Sequence, residues 1–457
     1  MFGKMELTGK NILIVGLART GVALAQFLAG RGALVTITDQ APAAALEPQR
    51  REIQGLGLRE ELGTPQPENV QQYELILLSP GVPPEVPWLT PARAAGIPVW
   101  GELELAAHFL ELPVLAVSGT NGKTTTTTLV GEFLKASGLR PLVGGNIGTP
   151  LISLLAGQKA ATHLVVEVSS FQLDTASSFH PQAAALLNLT PDHLDRHSSL
   201  NAYIASKAGL FRNQGPSDLA VLNYDDPAVR PLAPRTGRVY YFSAEETLDR
   251  GAWLTAEAIQ VRLAGGLSEL FPLNGISLPG GHNLENIMAA LLLALEAGAD
   301  PRACRAVLAR FRGLPHRLEF VADVGGVRFF DDSKGTNVGA VARSLAYFGA
   351  PVILIAGGRD KDSDFTLLAE LIREHVKALV LLGETRESLA RVWEGLAPAH
   401  LAADMADAVR QAFKLAEPGE VVLLSPACAS FDMFRDYAHR GEIFQKSVQE
   451  VAHGARN

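Results

Sequence analysis

Short runs of β-branched and aliphatic residues alternate with longer Ala/Leu-rich stretches along almost the whole chain, and this alternation is what most restricts its fold. Compact apolar runs suit strands covered on both faces, and the stretches between them suit the covering helices. The pattern predicts βαβ units, mostly parallel sheets and an α/β fold class. At 457 residues the chain is too long for one core. Three segments emerge: 1–111, with strands at "NILIVG", "LVTITD", "LILLSP" and "PVW"; 112–313, with strands at "PVLAVS", "HLVVEVSS", "AAALLNLT" and "LAVLN" and a long helix from about Asn283; and 314–457, with strands at "VRFFDDS", "PVILIAGG", "ALVLLG" and "EVVLLSP".

Charge and cysteine content narrow the function. A net charge of −8 without any basic run argues against nucleic acid as a partner, because such binding rests on excess Lys and Arg. Cys304 and Cys428 lie far apart with no CxxC spacing, which predicts neither a disulfide framework nor a zinc site. The apolar run Ile12–Leu17 is too short for a signal peptide or a membrane span, and "LLLALEAG" carries Glu296. A soluble cytoplasmic protein with no membrane insertion is expected.

The chemistry begins at "VLAVSGTNGKTTTTTLVGEFL", Val114–Leu134. An apolar strand feeding a Gly-rich turn brings main-chain N–H groups to phosphate oxygens, and the helix that follows adds positive potential. Lys123 is placed to reach a terminal phosphate and Thr124 to ligate magnesium. The common template GxxxxGK[ST] has glycine where this chain has Val117, so a shorter loop is expected, with Gly119 and Gly122 as its glycines.

Other polar groups sit at strand ends. Glu167 interrupts the apolar "HLVVEVSS", where a buried carboxylate needs a cation or a donor. Asp192, His193, Asp195 and His197 follow "AAALLNLT" at the ligand-binding end of a parallel strand. His193 alone reads as a surface loop histidine; beside Lys123 and Glu167 it reads as a metal ligand. Asn283 suits a helix cap, and Asn286 an amide that reads an adenine edge. Lys334, Lys361 and Ser430 suit an anionic substrate, though each could equally be a surface residue. "GLARTG", Gly16–Gly21, with Asp39 ending the next strand, imitates a dinucleotide fingerprint with Ala18 at the middle glycine.

Assembled in order, "GTNGKTT", "GGNIG", "EVSSFQL", "NLTPDHLDRH", "HN..N", "PHR", "DDSKGTN", "GGRDKD" and "SPACASFD" resemble the Mur ligase family, ATP-dependent enzymes that build the peptide of bacterial cell-wall precursors. "DDSKGTN" and "SPACASFD" resemble its D-glutamate-adding branch. The resemblance implies Rossmann-like N- and C-terminal domains around a P-loop-type ATPase domain. It also implies addition of D-glutamate to UDP-N-acetylmuramoyl-L-alanine through an acyl phosphate, with ATP and two magnesium ions; a monomer is expected. By the same resemblance, Gly119, Thr120, Asn121, Gly122, Lys123, Thr124 and Thr125 hold ATP phosphates, and Asn286, His316, Arg317 and Asp332 surround the adenosine. Thr124, Glu167, His193 and Lys207 hold metal, with Lys207 of "YIASKAGLF" carbamylated. Arg19, Thr20, Asp39, Gln40 and Ser79 contact the uridine diphosphate, and Asn146, Gln172 and His193 the muramoyl-alanine. Lys334, Thr336, Lys361, Ser430 and Tyr437 receive D-glutamate. Ala18 departs from a frequent glycine and Tyr437 from a familiar phenylalanine. Sister ligases and folylpolyglutamate synthases share the ATP motif, and a nucleotide-hydrolysing switch is the reading from a different class.

Overall fold

The first sheet grows from the apolar run Asn11–Val15 (β1), whose last four residues are buried. In the computed structural model, which describes residues 5–64, 66–67, 69–193, 196–278 and 280–454, four more strands join it. They are β2 (Leu34–Asp39), β3 (Arg59–Leu62), β4 (Leu75–Leu78) and β5 (Val99–Gly101), in the order β3-β2-β1-β4-β5, all parallel. The chain starts at the centre, winds to one edge and returns to the other side of β1. That reversal between β1 and β4 is the place where open parallel sheets form a crevice at their C-terminal ends.

The second sheet runs β14-β13-β12-β11-β10-β9-β6-β8-β7. Its centre is β6 (Val114–Ser118), every residue of which is buried. β6 is flanked by β8 (His163–Glu167) and β9 (Ala183–Leu186), with β7 (Pro141–Gly145) at one edge and β10 (Leu219–Asn223) on the other side. Beyond β11 (Arg238–Ser243) and β12 (Gly251–Leu254) the sheet turns antiparallel, through β13 (Ala258–Arg262) and β14 (Ser268–Pro272). Both sheets belong to one compact unit, formed by Met1–Leu189, Asn201–Leu273 and Glu285–Val307. One apolar core serves both: Leu103, Leu105 and Ala106 pack with Leu151 and Ile152. The junction is also polar, since the Glu104 carboxylate accepts from the N–H and hydroxyl groups of both Ser177 and Ser178 at 2.6–2.9 Å.

The other unit comprises Thr190–Leu200, Asn274–Leu284 and Leu308–Asn457. Its sheet is β15-β16-β20-β17-β18-β19, from β15 (Glu319–Val324), β16 (Val327–Asp331), β17 (Val352–Ala356), β18 (Val376–Leu381), β19 (Ala399–Leu401) and β20 (Val421–Leu424). Only β15 is antiparallel to its neighbour. Three mostly parallel sheets with helices match the predicted class. Every strand read from an apolar run is present. β3, β7, β11–β15 and β19 were not legible that way: β13, for instance, interrupts its apolar residues with Gln260 and ends on the exposed Arg262. No helix among the described residues is long and apolar enough to cross a membrane.

Candidate active site

β6 ends at Ser118, and Gly119–Gly122 turn the chain into the helix Lys123–Ala136. Gly122 has φ +85, a left-handed conformation that favours glycine, and a Cβ there would lie 2.1 Å from Asn286 Oδ1. Gly122 has no side chain to cap this helix, whose first turn starts directly at the loop. Lys123 folds back and donates from Nζ to Gly119 O at 2.9 Å and Thr120 O at 2.7 Å. Asn286 packs on the back of this loop, where Thr126 Oγ1 donates to its Oδ1 at 3.4 Å. Asn283 is inside the first turn of the helix Gly281–Glu296, not at its cap as expected, because the helix begins two residues earlier.

The neighbouring strand brings Glu167 level with Val117. One carboxylate oxygen, Oε1, accepts from Asn146 Nδ2 at 2.8 Å. The other, Oε2, is buried without a hydrogen-bond partner among the described residues. A buried, half-satisfied carboxylate beside a phosphate loop has the chemistry of a divalent-cation ligand, so the residues present fit a magnesium–nucleotide. Lys207, on the helix Leu200–Ala208, is only 2% exposed. Its Nζ donates to Gly119 O at 2.9 Å and lies 4.9 Å from the Tyr203 ring centroid. The Tyr203 hydroxyl in turn bonds Thr120 Oγ1 at 2.9 Å.

A cavity of about 540 Å³ opens at the C-terminal ends of β1 and β4. Arg19, Thr20, Asp39, Gln40, Ser79, Asn146 and Gln172 all line it, so the residues assigned to the uridine-diphosphate and muramoyl groups share one space, except His193, which belongs to the other unit. Several are committed to its walls. Asp39 accepts from Leu17 N at 2.7 Å and Ala41 N at 2.8 Å, while Ser79 Oγ donates to Gly16 O at 2.8 Å. Arg19 Nη1 donates to Gly148 O at 2.7 Å. Ala18 is extended, with φ −86, so no glycine is needed there. The glycines that matter are Gly16, with φ +93, and Gly21, whose Cβ would lie 2.0 Å from Gly16 O. Below the cavity, the buried Glu102 accepts from Ile152 N at 2.6 Å and from the Gln172 side chain, and burial pushes its carboxyl up to about 7.

In the second unit, His316 takes a left-handed φ of +62 and bonds Asp331 Oδ2 through Nδ1 at 2.7 Å. That bond raises its pKa above the usual imidazole range. Asp331, Glu319 and His316 lie close enough to share an ion, but Gln445 Nε2 donates to both carboxylates and the histidine already pairs with one. Asp332 is buried and accepts from Ser344 Oγ and Ser425 Oγ, each at 2.7 Å; burial pushes its carboxyl up to about 6. Lys334 Nζ sits 3.9 Å above the Tyr437 ring, and Lys334 N donates to His316 O at 3.1 Å. Lys361 Nζ is 3.9 Å from Asp192 Oδ1, and Asn337 Nδ2 donates to Asp192 Oδ2 at 3.0 Å. His193 belongs to this unit's Thr190–Leu200 segment with φ +56, and Asp195 lies outside the described residues. Thr336 N donates to Lys334 O at 2.8 Å, and Ser430 is buried.

Sequence reading overlooked Arg440, which binds these loops together. Its guanidinium donates to Ser333 O at 2.8 Å, to Ser333 Oγ at 3.0 Å and to Cys428 O at 3.1 Å. Burial pushes its pKa down to about 10. A helix-borne arginine in "AHRGEIF" gives no sign in sequence that it faces inward.

A lysine-closed phosphate loop next to a strand-end carboxylate with an open oxygen places the molecule among α/β enzymes that use nucleotide phosphates. Three family models match the chain in series: the Mur ligase MurD-like N-terminal domain over residues 10–101, the Mur ligase middle domain over 117–294, and the Mur ligase glutamate ligase domain over 316–428. A protein of Geotalea daltonii named UDP-N-acetylmuramoylalanine--D-glutamate ligase is 48% identical, the match covering 98% of this chain and 99% of the relative. One of the same name from Geobacter metallireducens is 47% identical over 99% of this chain and all of the relative. Among solved structures, UDP-N-acetylmuramate-alanine ligase from Thermotoga maritima shares the fold with a TM-score of 0.61 at 19% identity, covering 97% of this chain and 100% of that one. The MurF ligase of the same organism in complex with ADP does so at 0.58 and 17%, covering 99% and 98%. The chain belongs to the Mur ligase family.

Proposed function

We propose that the protein is an ATP-dependent ligase that joins D-glutamate to UDP-N-acetylmuramoyl-L-alanine through an acyl phosphate, a step in peptidoglycan precursor synthesis. The observation that carries this reading is the Lys123-closed phosphate loop beside the half-satisfied Glu167, in a chain 48% identical along nearly its whole length to a relative of that name. The domains run 1–111, 112–313 and 314–457, for the UDP-sugar, ATP and amino acid respectively, and the enzyme acts as a cytoplasmic monomer.

The L-alanyl carboxylate attacks the γ-phosphorus of ATP, and the bond to the bridging oxygen breaks to release ADP. The D-glutamate amine then adds to the acyl carbon, gives up a proton, and the adduct collapses with loss of inorganic phosphate. The first step brings two anions together, so its barrier is largely electrostatic. Lys123 supplies a cation to the γ-phosphate, and Gly119–Thr125 cradle the phosphates with main-chain and hydroxyl donors. Thr124 and Glu167 would hold one magnesium ion, and His193 and a carbamylated Lys207 would be the ligands of a second, since an ammonium would repel a metal; such ions would offset the charge of the reacting anions. Asn286, His316, Arg317 and Asp332 bind the adenosine. Arg19, Thr20, Asp39, Gln40, Ser79, Asn146 and Gln172 orient the UDP-sugar. Lys334, Thr336, Lys361, Ser430 and Tyr437 hold the amino acid so that its amine faces the activated carbonyl.

Lys123→Ala tests the assignment: ATP-dependent phosphate release in the presence of both other substrates should stop. Turnover at the normal rate would exclude the loop from the chemistry.

A further inference from the structure

The main chain of the phosphate loop is bonded by one residue, Asn188, just beyond the end of β9. Thr120 N donates to Asn188 O at 2.9 Å. Asn121 N donates to Asn188 Oδ1 at 2.8 Å, and Asn188 Nδ2 returns a bond to Asn121 O at 3.0 Å. The amide thus stands in for a peptide group and continues the β6/β9 pairing, whose last register is Ser118 with Leu186. The contact is tight. A Cβ on Gly119 would lie 3.0 Å from Leu187 Cβ and 3.3 Å from Asn188 N, and Asn188 is only 3% exposed. An amide is the short side chain that can accept from an N–H and donate to the C=O of the same residue.

We propose that Asn188 is a positioning residue for nucleotide binding: it engages the main chain of Thr120 and Asn121 and fixes the turn that presents Lys123 and the start of the helix Lys123–Ala136 to the anion. The inference rests on Ser118–Lys123 being a phosphate loop. Asn188 acts through the loop, so its removal affects nucleotide affinity and leaves the UDP-sugar cavity intact.

The test uses the full chain and its Asn188→Ala, Asn188→Ser and Asn188→Asp variants. Calorimetry gives the affinity for magnesium-ADP, steady-state assays give KM for ATP, the UDP-sugar and the amino acid, and thermal unfolding checks the fold. Loss of two hydrogen bonds predicts about 10- to 100-fold weaker ADP binding for Asn188→Ala. Asn188→Asp should be weaker still, because its carboxylate repels both Asn121 O and the phosphates, and KM for the other two substrates should stay within about twofold. Asn188→Ser, which keeps a small hydroxyl, supplies the measurement if the alanine variant does not fold. ADP affinity unchanged in all three variants overturns the inference, and so does an equal rise in all three KM values. If the wild-type chain fails to bind magnesium-ADP, the phosphate-loop reading itself falls.

Discussion

Glu102→Gln separates a titrating carboxylate from a merely hydrogen-bonded one. Glu102 begins the helix Glu102–Ala107, is buried, and accepts from Ile152 N, Leu151 N and the Gln172 side chain. Burial dominates these bonds and lifts its carboxyl from 4.5 to about 7. As pH rises between those values the unfolded chain gives up this proton while the folded chain retains it. Stability therefore falls with rising pH across the window; the cost is absent below 4.5 and complete above about 7. At about 1.4 kcal/mol per pH unit the gap amounts to roughly 3 kcal/mol. Glutamine does not titrate, so subtracting its unfolding free energy from that of the wild type cancels every other group. The difference, followed by denaturant unfolding from pH 4.5 to 7.5, should move against the wild type by about 3 kcal/mol. Parallel curves within about 1 kcal/mol would mean that Glu102 titrates near its ordinary value and that the burial argument is wrong.

Gly122→Ala forces a left-handed φ that costs about 1–2 kcal/mol and displaces the Asn286 amide; calorimetry should show ADP binding at least about tenfold weaker with UDP-sugar binding unchanged. Glu167→Gln removes the open carboxylate oxygen, so the magnesium concentration for half-maximal rate should rise about tenfold or more in a metal titration. Lys361→Ala should raise KM for D-glutamate about tenfold while KM for ATP stays within about twofold, checked by varying each substrate in turn.

Apolar runs made the parallel cores legible, because strands covered on both faces have little choice of residue. The antiparallel β12–β14 extension was not legible, since Gln260, Arg262, Ser268 and Glu269 break up the apolar residues of β13 and β14, and the turn between them, at Gly265 and Gly266, resembles an ordinary loop. The phosphate loop could be read because glycine, lysine and threonine each have a local reason to be there. Glu167 could be read because a carboxylate stands out in an apolar strand. Of the cavity residues, "GLARTG" with Asp39 carried a fingerprint of their own, whereas Ser79, Asn146 and Gln172 came from resemblance, and only folding brings the ends of β1 and β4 together around them. Asn188 and Arg440 had no such signal: each works by bonding main-chain groups distant in sequence, and an asparagine or arginine looks the same whether it faces inward or outward.

The decisive measurement is phosphate release from ATP in the presence of UDP-N-acetylmuramoyl-L-alanine, with D-glutamate, L-glutamate or no amino acid added, and the product weighed by mass spectrometry. A D-glutamate-adding ligase releases phosphate only when D-glutamate is present and yields a product heavier by one glutamyl unit. Release supported by a different amino acid would move the chain to a sister activity, and release indifferent to both substrates would contradict the ligase reading altogether.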